Sequence, residues 1–417
     1  MKIWKLSSLL VATALVVFPA ITMAAERSAE LWPQWRGPNR DGAIAGDNWP
    51  KQLTGGHLTQ LWRIELGPGY SGPIVGEDRV FVTETVDARD EVVTALARSD
   101  GQAIWRASWP GAMEVPFFAK RTGDWIRATP AYDGQALYVA GMRDVLVSLD
   151  AANGNQRWRV DFTQRYGTPL PDFGFSSSPL VVGDDLYVQA GGGLVKLDKH
   201  TGDSRWRSLD DGGGMFGSAF SSPIFTRLAG QQQLVVQTRK RLVGVDPADG
   251  TVHWSEEIPA FRGMNILTPT VFGDAVLTSA YGGKTNLFAI GTSGDGMRVE
   301  PVWTNKLQGY MSTPVVIDGH AYLHLRNRRF ACVELASGEI RWTTKPYGDY
   351  WSLVAQGDKI LALDQTGSLY LIRANPDEFE LLDSQTISEE ETWGHLAVSG
   401  ENLYVRELHA IAAYRWR

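Results

Sequence analysis

Short runs of β-branched and aromatic residues, broken every few positions by Gly, Asp, Asn or Ser, fill the chain from residue 58 to its end. No stretch of helical length carries an apolar period of 3.6, so the pattern predicts strands and turns throughout. Its clearest instance is residues 177–206, SSPLVVGDDLYVQAGGGLVKLDKHTGDSRW. That segment reads as four strands: one opened by small-small-Pro, one around Leu186-Tyr187-Val188, one around Val195-Lys196-Leu197-Asp198, and one ending on Trp206. The same unit opens at Pro73, Pro130, Pro179, Pro223, Pro269 and Pro314, and closes at Trp105, Trp158, Trp206, Trp254, Trp303 and Trp342. Four strands recurring at about 45 residues describe a propeller blade. Proline suits a first strand position, where no ladder donor is lost.

Two weaker copies complete the count. Residues 350–386 keep the spacing with Leu353 in place of the proline and no closing Trp, and residues 393–417 supply three strands only. LTQLWRIEL at 58–66 has the character of a Trp-bearing fourth strand with no strands before it. The predicted fold is all-β: one eight-bladed β-propeller of four-stranded antiparallel blades over residues 58–417, its last blade closed by the N-terminal strand. Closure removes the open edge that a partial blade would leave.

Composition adds limits. With 44 Gly, 16 Trp and 43% hydrophobic against 21% charged residues, the chain is a folded, aromatic-rich protein and not a disordered one. Residues 1–24 join two lysines, an apolar run and the small-residue end Thr22-Met23-Ala24, which predicts a cleaved signal peptide. Residues 25–57 form a leader before the propeller. Loss of the signal leaves 38 cations against 47 acids, a net −9, which disfavours nucleic acid or anionic lipid as a whole-surface partner. No later segment is apolar enough to span a bilayer. The expected product is a soluble monomer, periplasmic or secreted, without a lipid anchor because no cysteine stands near the cleavage site.

The repeated SSP…LYV…LD…TG…W unit, together with WPQWRGPNRDG at 32–42, resembles the pyrroloquinoline-quinone-like (PQQ-like) propellers over about residues 32–417. That family includes quinoprotein dehydrogenases and the outer-membrane-protein assembly factor. The dehydrogenase resemblance implies a quinone held between a tryptophan and a disulfide of adjacent cysteines, with calcium on a Glu, an Asn and an Asp. Cys332 is the sole cysteine and cannot form that disulfide. The assembly-factor resemblance implies partner loops with a Leu-rich, Arg-bearing stretch and an Asp pair. Here the corresponding loops read FGFSSSP, FGSAFSSP and MNILTP.

Little else points to catalysis. His320 and His324 are about 13 Å apart along an extended strand, too far for one metal ion. YGGKTN at 281–286 lacks the first glycine of a phosphate loop. Asp150, Asp198 and Asp246 recur before turns, where their carboxylates satisfy backbone donors. The repeated Trp residues are expected to pack between blades, and Cys332 to be a small buried side chain. No catalytic residue, metal site or cofactor is assigned.

Binding is expected in what varies between copies. The loops between strands two and three share a face of the disc with those leading into strand one. They carry Arg239, Lys240 and Arg241 in blade four, Lys284 in blade five, and Arg326, Arg328 and Arg329 in blade six. Blade one opposes them with Glu84, Asp87, Asp90 and Glu91 against Arg89. Three residues before each proline or its replacement stand Tyr70, Arg127, Ser176, Phe220, Ile266, Met311, Tyr350 and Trp393, placed at the channel mouth as interface or as plug. The expectation is a non-catalytic scaffold whose cationic sector and aromatic mouth hold an acidic protein partner of the cell envelope. The alternatives are a PQQ-binding quinoprotein oxidoreductase or sensor using calcium, and an anionic-polysaccharide binder.

Overall fold

Each small-small-Pro triplet opens the innermost strand of a blade: Ile74–Val75, Ala131–Tyr132, Leu180–Val182, Ile224–Leu228, Thr270–Phe272 and Val315–Ile317 all begin directly after their proline. The computed structural model describes residues 31–46, 49–210, 219–294 and 296–417. The signal-peptide reading of residues 1–24 lies outside the described residues. Eight antiparallel sheets follow one another as blades, the predicted architecture. Among the described residues the helical segments are one five-residue α-turn, Phe162–Tyr166, and two 3-10 turns, Phe117–Thr122 and Phe261–Gly263.

The motif residue before the proline has a structural task. The Gly72 N–H donates to Thr129 Oγ1 at 2.9 Å, Thr129 N–H to Ser178 Oγ at 3.1 Å, and Ser178 N–H to Ser222 Oγ at 2.9 Å. The belt continues from Ser222 N–H to Thr268 Oγ1 at 3.0 Å and from Thr268 N–H to Thr313 Oγ1 at 3.2 Å. Every bond crosses from one blade to the next, so buried backbone donors around the channel find acceptors that the sheets cannot supply.

The closing tryptophans seal the outer seams. Trp105 Nε1 donates to Ala151 O, Trp158 to Lys199 O, Trp303 to Leu335 O and Trp342 to Asn375 O, each at 2.7–3.0 Å and each on the following blade. The receiving turn must approach the indole closely: Gly202 (φ 75°) would place a Cβ 2.8 Å from the Trp158 ring. Asp150, Asp198 and Asp246 each accept a backbone N–H two residues on, as turn formers do.

Ring closure follows the predicted scheme. Leu58–Glu65 pairs antiparallel with Ala410–Trp416, and Trp62 Nε1 reaches Arg98 O of blade one at 3.0 Å. The leader does more than precede the ring. Trp32 bridges to Val75 in blade one, Pro33 O accepts from Tyr132 N in blade two, and Ala43–Ile44 adds a parallel fifth strand inside Ser352–Gln356 of blade seven. Between these points the chain enters the channel from the face opposite the mouth. Arg36 Nη2 donates to Pro314 O and Arg40 Nη1 to Pro179 O, both at 2.6 Å, anchoring the plug on two separate blades. Further along, Asp383 Oδ2 accepts from Leu53 N and Thr54 N, so the leader seals the seam of the blade that has no closing Trp.

Candidate functional site

With residues 32–42 filling one end, the axial channel is a blind funnel of about 390 Å3 opening on the mouth face. All eight positions three residues before the proline or its replacement line it, from Tyr70 in blade one to Trp393 in blade eight. Trp35 of the plug and His395 form its floor. The geometry follows from the repeat: one register position, copied around a circle, necessarily faces one axis.

The lining is largely aromatic. Trp125, Tyr70, Trp393, Tyr350, Tyr310, Tyr281 and Phe261 form an unbroken crescent with neighbouring ring centroids 4.3–5.6 Å apart, in which Trp125 and Tyr281 stand outside the lining and buttress the five rings that face the funnel. Across the mouth, Phe173 touches Phe118 at 6.2 Å and Phe220 at 5.6 Å. Sequence reasoning missed Phe118, Phe173, Phe261 and Tyr310. Their signal was the aromatic content of the loops entering blades two, three, five and six, FFAKRTGDW, PDFGF, AFRGM and GYM, in which each missed ring stands beside the repeat position and not on it.

Three guanidinium groups join these rings: Arg127, Arg239 and Arg262 line the funnel, whereas no Asp, Glu, Asn or Gln among the described residues does. Burial lowers Arg127 to about 10. Its Nη2 donates to Gly123 O at 2.6 Å. Tyr70 OH donates to Glu391 at 3.0 Å, and burial raises its phenol well above the ordinary range.

The cationic sector is more divided than its sequence. Arg239 is buried, with its guanidinium 4.5 Å from the Phe220 ring and Nη2 on Arg262 O at 2.9 Å. It is a funnel wall and not part of an exposed charge patch. Arg328 is paired with Asp349 at 2.9 Å, and Arg329 donates to Thr344 O at 2.5 Å. Arg241 is half-buried at the start of its strand. Lys240, Lys284 and Arg326 are exposed, Arg326 lying 4.3 Å over Tyr281.

The opposing acidic sector largely turns inward as well. Glu84 accepts from Gly67 N and Arg106, and Glu91 accepts from Trp109 Nε1 at 2.8 Å and Met142 N at 2.6 Å, tying blade one to blade two. Asp90 pairs with Arg89, which leaves Asp87 exposed.

Elsewhere the chemistry is structural. His324 stacks on Trp351 at 4.8 Å, with burial lowering it to about 4. Cys332 is fully buried in blade six, its thiol pushed up to about 11. Among the described residues no group of three His, Cys, Asp or Glu side chains is placed to hold a metal ion.

The chain matches the family described as outer membrane protein assembly factor BamB over residues 89–344. The assembly factor BamB of Yersinia pestis is 23% identical over 261 residues, 58% of this chain and 64% of that protein. That of Nitrosomonas eutropha is 25% identical over 301 residues, 70% of this chain and 62% of that protein. The chain therefore spans somewhat less than two thirds of either relative. Among solved structures, BamB from Moraxella catarrhalis superposes with a TM-score of 0.63 at 15% identity, covering 86% of this chain and 98% of that one. Quinohemoprotein alcohol dehydrogenase from Comamonas testosteroni gives 0.64 at 13%, covering 96% and 82%. At such identities these structures share the fold. The family match takes in more than half of the chain, and the protein belongs to the BamB family of PQQ-like propellers.

Proposed function

We propose that this chain is a non-catalytic propeller scaffold of the cell envelope that holds a protein partner at its mouth face. The observation that carries the reading is the blind funnel itself: a crescent of aromatic rings and three guanidinium groups with no carboxylate among its described residues, rimmed by the exposed Lys240, Lys284 and Arg326. Aromatic and Arg side chains supply most of the energy of desolvated interface contacts, and rim cations steer an acidic partner. The relatives named for outer membrane protein assembly, together with the signal-like residues 1–24, support an envelope location.

A calcium-held quinone does not suit this donor set. Calcium takes oxygen ligands, chiefly carboxylates, and among the described residues the funnel lining offers neither carboxylate nor side-chain amide. The lone Cys332 sits in a blade strand away from the lining. Incubation with the quinone and calcium should therefore give neither a bound chromophore nor dye reduction.

The direct test is capture from an envelope extract by wild type and by the Lys240→Glu, Lys284→Glu, Arg326→Glu triple variant. The expected result is a defined partner retained by wild type and lost from the variant as salt rises. Equal capture by both removes the electrostatic part of the reading, and the absence of any partner with wild type rejects the scaffold.

A further inference from the structure

Resting on the reading of the mouth as a protein-binding face, we propose that the funnel captures the free carboxyl end of a partner chain whose last residues are apolar. Three independent features converge on that occupant.

The first is that the funnel has a floor. The plug crosses the channel between its anchors on Pro314 and Pro179, and Trp35 lines the bottom of the cavity. A partner segment can end there but cannot pass through. Roughly 390 Å3 admits the last few residues of a chain and no folded element.

The second is that the polar lining is rich in donors, three of them charged. Among the described residues of the lining there is no carboxylate and no side-chain amide, and three guanidinium groups are present. The hydroxyls of Thr129, Ser178, Ser222, Thr268 and Thr313 each accept a backbone N–H from the preceding blade, which leaves their own hydrogens to be given. The indole N–H groups of Trp351 and Trp393 also find no acceptor. A carboxylate accepts and never donates, so it suits such a lining. A neutral glycan gains less from it, because it carries no negative charge for the three guanidinium groups to pair with.

The third is the apolar wall. Tyr70, Trp393, Tyr350 and Tyr310, with Phe261 and the Phe173–Phe220 pair, offer ring surface for terminal side chains. Phe117 is 86% exposed and Phe118 50% at the lip, where residues just ahead of the terminus would lie. Capture of a terminal carboxylate by clustered donors is an established mode of peptide recognition.

The experiment is calorimetric titration of the full chain with three short peptides. One ends in leucine with a free carboxylate, one is its C-terminal amide, and one is amidated at the end with a glutamate at its centre. The free acid is expected to bind at least about tenfold more tightly than the amide, since a hydrogen bond to a charged group contributes roughly 1.5–3 kcal/mol. Arg127→Gln should abolish that preference without altering the melting temperature by more than a few degrees. Should Arg127→Gln fail to fold, Arg262→Gln, at an exposed turn, should reduce the preference instead.

Equal binding of acid and amide overturns the proposal, as does stronger binding of the internal glutamate peptide or of a short uronic-acid oligosaccharide. If none of these ligands binds while the triple-variant experiment still separates wild type from variant, the scaffold reading stands and carboxyl-end capture falls.

Discussion

Arg239 belongs by sequence to a run of three cations, and in space it leaves them. Its guanidinium lies on Phe220, a residue of another loop that no local pattern links to it. The eight funnel positions were legible because a repeat makes register positions equivalent, and equivalence places them on one axis. Side-chain direction was not legible, because it depends on what the neighbouring loop supplies, as Glu84, Glu91 and Arg328 also show.

Acid response belongs to this scale. Burial holds His395 down to about 3 and His324 to about 4, against roughly 6.5 unfolded, and raises Asp144 to about 6. Between pH 6.5 and 4 the unfolded chain takes up protons on both histidines that the fold refuses, so stability falls as pH falls. Asp144 opposes this, since from about pH 6 down to 4 the fold binds its proton first. Asp144→Asn keeps an acceptor for Gly191 N–H and is expected to steepen the acid decline. His324→Phe should make it shallower by up to about 1.4 kcal/mol per pH unit. Urea unfolding at a series of pH values reads both, and curves parallel to wild type would refute the assignment.

At the scale of the element, the small-small-Pro motif was visible as a repeat long before its purpose was. The hydroxyl before Pro130, Pro179, Pro223, Pro269 and Pro314 had no role in the sequence pattern, and the structure makes it the fastener between innermost strands. The Trp motif carries its role more openly, because a large ring at an equivalent site in successive blades has nowhere to go but the seam. Blade seven shows the converse. It lacks the Trp, and residues 53–54 of the leader bond Asp383 instead, a substitution that sequence spacing could not display.

The belt makes a sharp forecast. Thr268→Val removes the acceptor of Ser222 N–H while keeping shape, and a buried donor left unpaired costs about 1–3 kcal/mol. Thr268→Ser keeps the oxygen and should cost well under half as much. Equal losses for the two in denaturant melts would mean that the methyl, and not the hydroxyl, does the fastening.

For the whole molecule, ring closure is the feature on which the funnel depends. Trp62 and Trp158 are nearly equally buried, at 7% and 8% exposure. Trp158 joins blades that the chain already connects, whereas Trp62 sits on the strand that closes the circle. Truncation of a buried Trp costs about 3–5 kcal/mol. Trp62→Ala is expected to reach the upper end and to lower the midpoint of a single cooperative transition, because opening the weld frees two sheet edges at once. A loss for Trp62→Ala smaller than for Trp158→Ala would show that the blades hold together without it.

The hydrogen-bond partner of the earliest strand, Leu58–Glu65, is the latest, Ala410–Trp416. While the polypeptide is being made, the early strand therefore waits with bare amides until synthesis has run its course. A product cut short before residue 410 never satisfies them, and naked strand edges pair with whatever similar strand they meet. Shortened versions of this protein are thus headed for aggregates and not for smaller propellers.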